Sequence, residues 1–195
     1  MAVKDQVKPI PAIYQRVSTR KFLEKPISRA WIEEILIAGT LAPSSGNMQP
    51  WEFIVIEDQE LKEDLVKFTF SGYYSKGSHH QGWIGKASVV IVACTNYKRT
   101  VARYGEAGKD WAPLDTAAAV ENMLLTATAM GLAGCWVGGF HEAGVKELLK
   151  IPPYVRPVGL LPLGFPAEEP VPKQRIPLKW VTHKNRYNIP YLPAD

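Results

Sequence analysis

Cysteine is scarce: Cys94 and Cys135 are the only two in 195 residues, and each lies inside an apolar stretch. Two thiols are too few for a disulfide framework or a zinc centre, and they point to a reducing, cytoplasmic compartment. Long hydrophobic runs are missing as well. The longest, Ala87 to Cys94, falls far short of the ~20 residues that a membrane span needs. The amino-terminal stretch lacks the apolar core of a signal peptide. Blocks of like charge are absent too, because 23 basic and 19 acidic residues are mixed along the chain to a net +4. That balance suits small anionic ligands better than a nucleic-acid groove, which requires a concentrated basic patch.

Several catalytic and nucleotide signatures are also missing. No G-x-G-x-x-G opens a helix after a strand, and Gly72 to Gly77 lacks the lysine and hydroxyl residue that complete a phosphate loop, so a Rossmann-type domain is disfavoured. No G-x-S-x-G occurs, and Cys135 with His141 does not sit in a nucleophile-and-base pattern. Cys135 reads as a small core residue. His79-His80 has no further ligand nearby, so no metal site is expected. With no repeats and no linker, residues 1–195 read as one domain.

What is present alternates between helix and strand. Pro9 to Val17 can form a short helix. Ser28 can cap a second helix, with Ile27 stapled to Ile32, apolar positions Trp31, Ile32, Ile35 and Leu36, and Gly39 as a stop. Trp51 to Ile56 reads as a strand, and Asp58 as the cap of a helix reaching about Phe68. Ser88 to Ala93 is a continuous β-branched run, the pattern of a central strand buried on both faces. The longest helix is expected from about Pro113 to Gly131, its small side chains placing it in the core or at a subunit contact. Gly134 to Phe140 reads as a strand, Ala143 to Leu149 as a helix and Val158 to Gly164 as a strand. Phe70 to Gly85 reads as a long loop, suited to a lid or to a solvated insertion. From Glu168 onward the proline-rich, basic tail suits wrapping over a surface.

Three polar or glycine-rich groups carry the chemistry. In Arg16-Val17-Ser18-Thr19-Arg20 an extended chain sends Arg16, Ser18 and Arg20 to one side. Lys173 and Arg175 repeat that spacing, and two such forks converging on one phosphate would make charge-assisted, partly bidentate contacts. Ser44, Ser45, Asn47 and Gln49 lie between Pro43 and Pro50, a rigid polar rim able to cap turns or to meet a heteroaromatic edge. Gly134-Cys135-Trp136-Val137-Gly138-Gly139-Phe140 ends in paired glycines that would admit a flat ligand beside the Trp136 wall, or form a tight turn around a buried tryptophan.

In this order and spacing, these segments together with Ala42 to Phe53, Asp115 to Leu124 and Lys173-Gln174-Arg175 resemble the FMN-dependent nitroreductase family. The resemblance spans nearly the whole chain. It implies an α+β fold, a mixed or antiparallel sheet flanked by helices, in a homodimer with an extended C-terminal tail and two FMN molecules at the subunit contact. It implies that Arg16, Val17, Ser18 and Arg20 hold the phosphate and ring edge, joined by Lys173 and Arg175. Pro43, Ser44, Ser45 and Asn47, with Gln49 nearby, would approach from the other subunit. Trp136, Val137, Gly138 and Gly139 would lie along the ring, with a backbone N–H near Gly138 or Gly139 donating to flavin N5. Two positions depart from the pattern: Val17 stands where the family often has a second basic residue, and Gly138 where several members have glutamate.

The implied reaction is ping-pong hydride transfer from NADH or NADPH through the flavin to a flat, electron-poor acceptor such as a nitroaromatic, quinone or flavin. The cofactor carries the chemistry, so no side chain is singled out as catalytic. The same fold also serves reductive dehalogenases, flavin-cleaving enzymes and azoline dehydrogenases, and a non-catalytic FMN-binding dimer is a further alternative.

Overall fold

The β-branched run anticipated at the centre of the sheet organises the computed structural model, which describes residues 8–71 and 79–192. Helices α1 (Pro11–Gln15) and α2 (Arg29–Thr40) lead into strand β1 (Trp51–Ile56), helix α3 (Gln59–Val66) and strand β2 (Val89–Asn96). Helices α4 (Tyr97–Tyr104) and α5 (Gly108–Ala129), strand β3 (Ala133–Gly134), helix α6 (Glu142–Leu148) and strand β4 (Val155–Gly164) follow. The strands form one antiparallel sheet in the order β1-β2-β4-β3.

Strand side chains alternate between faces, so a strand sandwiched by two helical layers must be apolar at every position. In β2, Val90, Val92 and Cys94 enter a core shared with α3 and α6 through Leu65 and Val145. Val89, Ile91 and Ala93 enter a second core with Ile32 and Ile35 of α2 and Val120, Met123 and Leu124 of α5. Each such fully buried aliphatic side chain contributes about 1.5–3 kcal/mol. The fold is therefore α+β, with helices on both faces of an antiparallel sheet.

Local signals hold at several boundaries. The Asp58 carboxylate accepts the Leu61 N–H at 2.7 Å, capping α3 as its sequence anticipates. Ser28 sits at the start of α2, though its hydroxyl makes no capping bond there. Ile27 and Ile32 share one core.

Other boundaries differ, each for a tertiary reason. Gly39 does not stop α2; the helix runs on to Thr40 and Gly39 is buried within it. A Cβ at Gly39 would come within 2.9 Å of Met123 and 3.2 Å of Phe53, so the glycine lets α2 approach α5 and β1 closely. Helix α5 begins before Pro113, at Gly108, with Trp111 packed edge-on against Tyr104 at 5.0 Å between ring centroids. Helix α4 has no counterpart among the expected elements, although Tyr97, Val101 and Tyr104 recur at helical spacing; the Asn96 side chain caps it, accepting the Lys98 N–H at 3.1 Å.

The strand expected over Gly134 to Phe140 shrinks to Ala133–Gly134, followed by isolated bridges from Val137 to Leu160 and from Phe140 to Thr69. Opposite Cys135 lies Pro162, which accepts the Cys135 N–H at 3.3 Å but has no N–H to return. That one-sided pairing interrupts the ladder. The loop expected over 70–85 is ordered at its flanks: Ser71 pairs with His79, and Gly82–Lys86 form a 3-10 turn that buries Ile84. Residues 72–78, within the segment that suits a lid or a solvated insertion, lie outside the described residues. His80 Nδ1 bonds the Thr69 carbonyl at 2.9 Å. Residues 168–192 carry no regular element beyond a 3-10 turn at Leu178–Trp180 and are exposed along most of their length. Among the described residues no helix is long and apolar enough to cross a membrane.

Two outcomes follow from this packing. Gly39→Val should lower stability by about 1–3 kcal/mol through overpacking against Met123 and Phe53, read as a lower urea midpoint. Burial pushes the Cys94 thiol up to about 12, with Glu52 adding to the rise, whereas an unfolded thiol ionises near about 8.5. The unfolded chain therefore loses its proton first, and stability from the neutral buried thiol is full below that value and falls as pH rises toward 12. Urea midpoints measured from pH 8 upward should thus decline more steeply in the parent chain than in Cys94→Ala, whatever the absolute offset between them.

Candidate functional site

Beyond α1 the backbone is extended at Arg16 (φ −61°, ψ 118°) and runs beside the edge strand β3. Ser18 bridges Gly134 in parallel, and the Thr19 N–H donates to the Gly134 carbonyl at 3.0 Å. Thr19 points inward and is buried, so the flanking residues Ser18 and Arg20 face outward. The tail passes the same edge. Arg16, Val17, Ser18, Arg20, Lys173 and Arg175 line one cavity of about 330 Å³, with Ile13, Tyr14 and Pro172 completing its wall.

Both basic forks thus meet, from opposite ends of the chain. Four cationic side chains around one concavity create a field that draws a multiply charged anion, and each offers charge-assisted hydrogen bonds. The sequence pattern did not reveal two modifiers of this site. Glu121 of α5 pairs with Arg16 at 3.5 Å and offsets part of its charge. The Arg20 guanidinium lies 5.8 Å from the centre of the Trp83 ring, which holds it by a cation–π contact.

The glycine-rich turn follows β3, the strand that Ser18 of this cavity bridges. The Trp136 side chain lies over Gly159, where a Cβ would come within 2.5 Å of the indole nitrogen. Trp136 is 37% exposed and lines a second concavity of about 320 Å³ with Gly138, Phe140, Pro113 and Arg156. Val137 is buried in the core, where its side chain contributes packing, and its backbone N–H and carbonyl both pair with Leu160 at 2.9 Å, so it anchors the turn and leaves neither group for a ligand. The paired glycines have different jobs. At Gly139 a Cβ would strike the Phe70 carbonyl at 2.4 Å, so this glycine serves packing, whereas at Gly138 a Cβ would meet open space.

Pro43, Ser44, Ser45, Asn47 and Gln49 do not line the basic cavity of their own chain. Much of their hydrogen-bonding capacity is already used: the Ser45 hydroxyl donates to Asp115 of α5 at 3.1 Å, Ser44 Oγ accepts the Gln49 N–H at 3.0 Å, and Gln49 Nε2 donates to the Asn47 carbonyl at 3.3 Å. Turn-capping therefore accounts for Ser44 and Gln49, and a tertiary contact for Ser45. Asp115, Arg99 and Arg103 anchor this segment; Asp115 belongs to a stretch the sequence singles out, but its contact with Ser45, like those of Arg99 and Arg103, exists only because α4 and α5 pack here from far along the chain. A larger cavity of about 590 Å³ lies beneath residues 23–26. It holds none of the anticipated residues, and its buried Lys62 donates to the Ala87 carbonyl at 2.8 Å.

The model of the nitroreductase family matches residues 13–165, a span that runs from the wall of the basic cavity to the end of β4. The chain belongs to the nitroreductase family. A Salmonella typhimurium protein named oxygen-insensitive NADPH nitroreductase is 33% identical over 87% of this chain and 70% of its own length. An Archaeoglobus fulgidus relative, named a candidate NADH dehydrogenase/NAD(P)H nitroreductase, is 36% identical over 80% of this chain and 84% of its own. Among solved structures, the NADPH:FMN oxidoreductase of Vibrio harveyi, complexed with NAD+, superposes with a TM-score of 0.80 at 28% identity, covering 92% of this chain and 77% of that one. The nitroreductase fold is thus present, and the basic cavity and the Trp136–Gly139 turn lie side by side along its β3 edge.

Cys135 sits where those two features join. Burial raises its pKa, while Arg20, a hydrogen bond from Ser18 and Arg16 pull it the other way. A neutral, buried thiol is a poor nucleophile. At pH 8 the folded protein should react slowly with an aromatic disulfide reagent and expose both thiols only on unfolding. Arg20→Ala, which removes the main charge favouring the thiolate, should slow Cys135 labelling further.

Proposed function

We propose that this chain is an NAD(P)H-dependent FMN oxidoreductase acting on flat, electron-poor acceptors such as nitroaromatics, quinones or flavins. One observation carries the reading: in a chain of this family, Arg16, Arg20, Lys173 and Arg175 line a single cavity with Ser18 at the sheet edge. The donor set fits a phosphomonoester. A phosphate dianion presents three oxygens, and guanidinium forks, an ammonium and a hydroxyl match that demand.

Bound FMN would supply the two-electron chemistry, accepting hydride from the nicotinamide in one half-reaction and passing reducing equivalents to the acceptor in the other. The chain's own residues bind and orient. Arg20, Lys173 and Arg175 would hold the phosphate, Ser18 would add a hydroxyl donor, and Arg16 would act as a cation moderated by Glu121. The Trp136–Gly139 turn would offer an apolar edge and backbone N–H groups to the ring. Gly138, where a side chain would meet open space, leaves room for an acceptor. No side-chain acid or nucleophile is needed, in keeping with the neutral thiol of Cys135.

A homodimer belongs to the same reading, and so does residence in the cytoplasm. The apolar side chains Leu41, Leu114 and Ile13 are 76%, 68% and 52% exposed in the single chain, and the tail extends with little beneath it. Pairing would cover that surface and bring Pro43, Ser44, Ser45, Asn47 and Gln49 to a neighbouring basic cavity.

The purified protein should be yellow and sediment as a dimer, bleach anaerobically with NADH or NADPH, and regain colour when a quinone or nitroaromatic is added. Removing one charge-assisted phosphate contact costs about 1.5–3 kcal/mol, so Lys173→Ala and Arg175→Ala should each weaken FMN binding by about tenfold or more, measured by quenching of FMN fluorescence. A colourless protein that ignores added FMN would overturn the reading. A yellow protein that oxidises nicotinamide no faster than free flavin would reduce it to a flavin-holding dimer.

A further inference from the structure

The segment between α2 and β1 is held in a conformation that glycine and asparagine tolerate but that Gln49 does not favour. Gly46, Asn47 and Gln49 have φ of 54°, 58° and 47°, the left-handed region that costs residues other than glycine free energy. Two helices hold it there. From α5, Asp115, only 9% exposed, accepts the Ser45 N–H through both carboxylate oxygens at 3.1 Å and the Ser45 hydroxyl at 3.1 Å. From α4, Arg103 Nη1 donates to the Gly46 carbonyl at 3.1 Å and Arg99 Nη1 to the Gln49 carbonyl at 2.6 Å. A side chain at Gly46 would be strained by its positive φ and would push aside the Tyr104 hydroxyl, 2.1 Å from an added Cβ.

The consequence is selective. Ser44, Ser45 and Gln49 are tied up within the clamp, while the Asn47 side chain is exposed and makes no hydrogen bond among the described residues. Without these bonds Gln49 would relax out of the left-handed region, which asparagine tolerates but glutamine does not, and the turn that carries the Asn47 amide would lose its fixed direction. We infer that Asp115, supported by Arg103, is a positioning residue that locks residues 44–49 in this form and thereby sets Asn47 at the flavin site across the subunit contact. The inference rests on the proposed FMN chemistry, and neither Asp115 nor Arg103 touches a reacting atom in it.

The test compares the dimeric parent protein with Asp115→Ala, Asp115→Asn and Arg103→Gln. Four quantities are read: the FMN dissociation constant from fluorescence quenching, the visible circular dichroism of bound flavin, kcat and KM for the nicotinamide, and amide hydrogen exchange at Ser45 in the flavin-free protein. Asp115→Ala should speed Ser45 exchange, weaken FMN binding about tenfold and change the flavin dichroism. Its kcat should fall with little change in KM. Asp115→Asn keeps an acceptor oxygen for Ser45 and should restore most of each quantity. Arg103→Gln, an exposed change, should shift each in the same direction by about threefold, and it decides the matter together with Asp115→Asn if Asp115→Ala does not fold. Folded Asp115→Ala and Arg103→Gln proteins with parental FMN affinity, dichroism and kcat would overturn the inference while leaving the proposed function standing. A parent protein that binds no FMN would overturn both.

Discussion

The hydrogen bond from the Thr19 N–H to the Gly134 carbonyl is the constraint on which the candidate site rests. It docks an irregular amino-terminal segment onto the edge of the sheet and sets the alternation of side chains there. With Thr19 turned inward, Ser18 and Arg20 face out toward the tail. β3 is only two residues long, but it is paired to β4, and β4 to the doubly buried β2. The basic cavity is therefore fastened to the doubly buried centre of the sheet by a short series of backbone pairings.

The same edge explains why the glycine-rich turn is irregular. Pro162 cannot donate to Cys135, so regular pairing stops after Gly134 and resumes for only one residue pair at Val137 and Leu160. Freed from the ladder, the intervening chain places Trp136 over Gly159 and leaves Gly138 facing open space. Burial of Cys135 on the inward side keeps its thiol neutral between two cationic side chains. Cationic binding capacity and chemical inertness thus coexist within a few residues, an arrangement suited to a protein that orients a redox cofactor.

The helices α4 and α5 have a second task besides filling the core. Through Asp115, Arg99 and Arg103 they hold residues 44–49 in a strained turn. The helix on the other side of that turn, α2, is brought against α5 by the absence of a side chain at Gly39. One end of the polar segment is thus referenced to α5 and the other, through Arg99 and Gln49, to α4, so its geometry depends on packing far from its own sequence.

Short-range physics was readable in the chain itself. Asp58 announced a helix start because its carboxylate reaches an N–H three residues on, the unbroken β-branched run announced a strand covered on both faces, and the alternation in residues 16–20 announced which side chains would share a side. Relations between distant residues could not be read that way. That Gly39 is a contact rather than a stop, that Pro162 breaks the pairing of Cys135, and that Glu121 and Asp115 face Arg16 and Ser45 all depend on which surfaces meet. Local propensity is set by a residue and its near neighbours, whereas a close approach or an ion pair exists only once helices and sheet have packed. For that reason the sequence alone determined most of the elements and the two basic forks, and only the tertiary structure decided where β3 and α5 begin and end, that the forks share one cavity, and which polar side chains remain uncommitted.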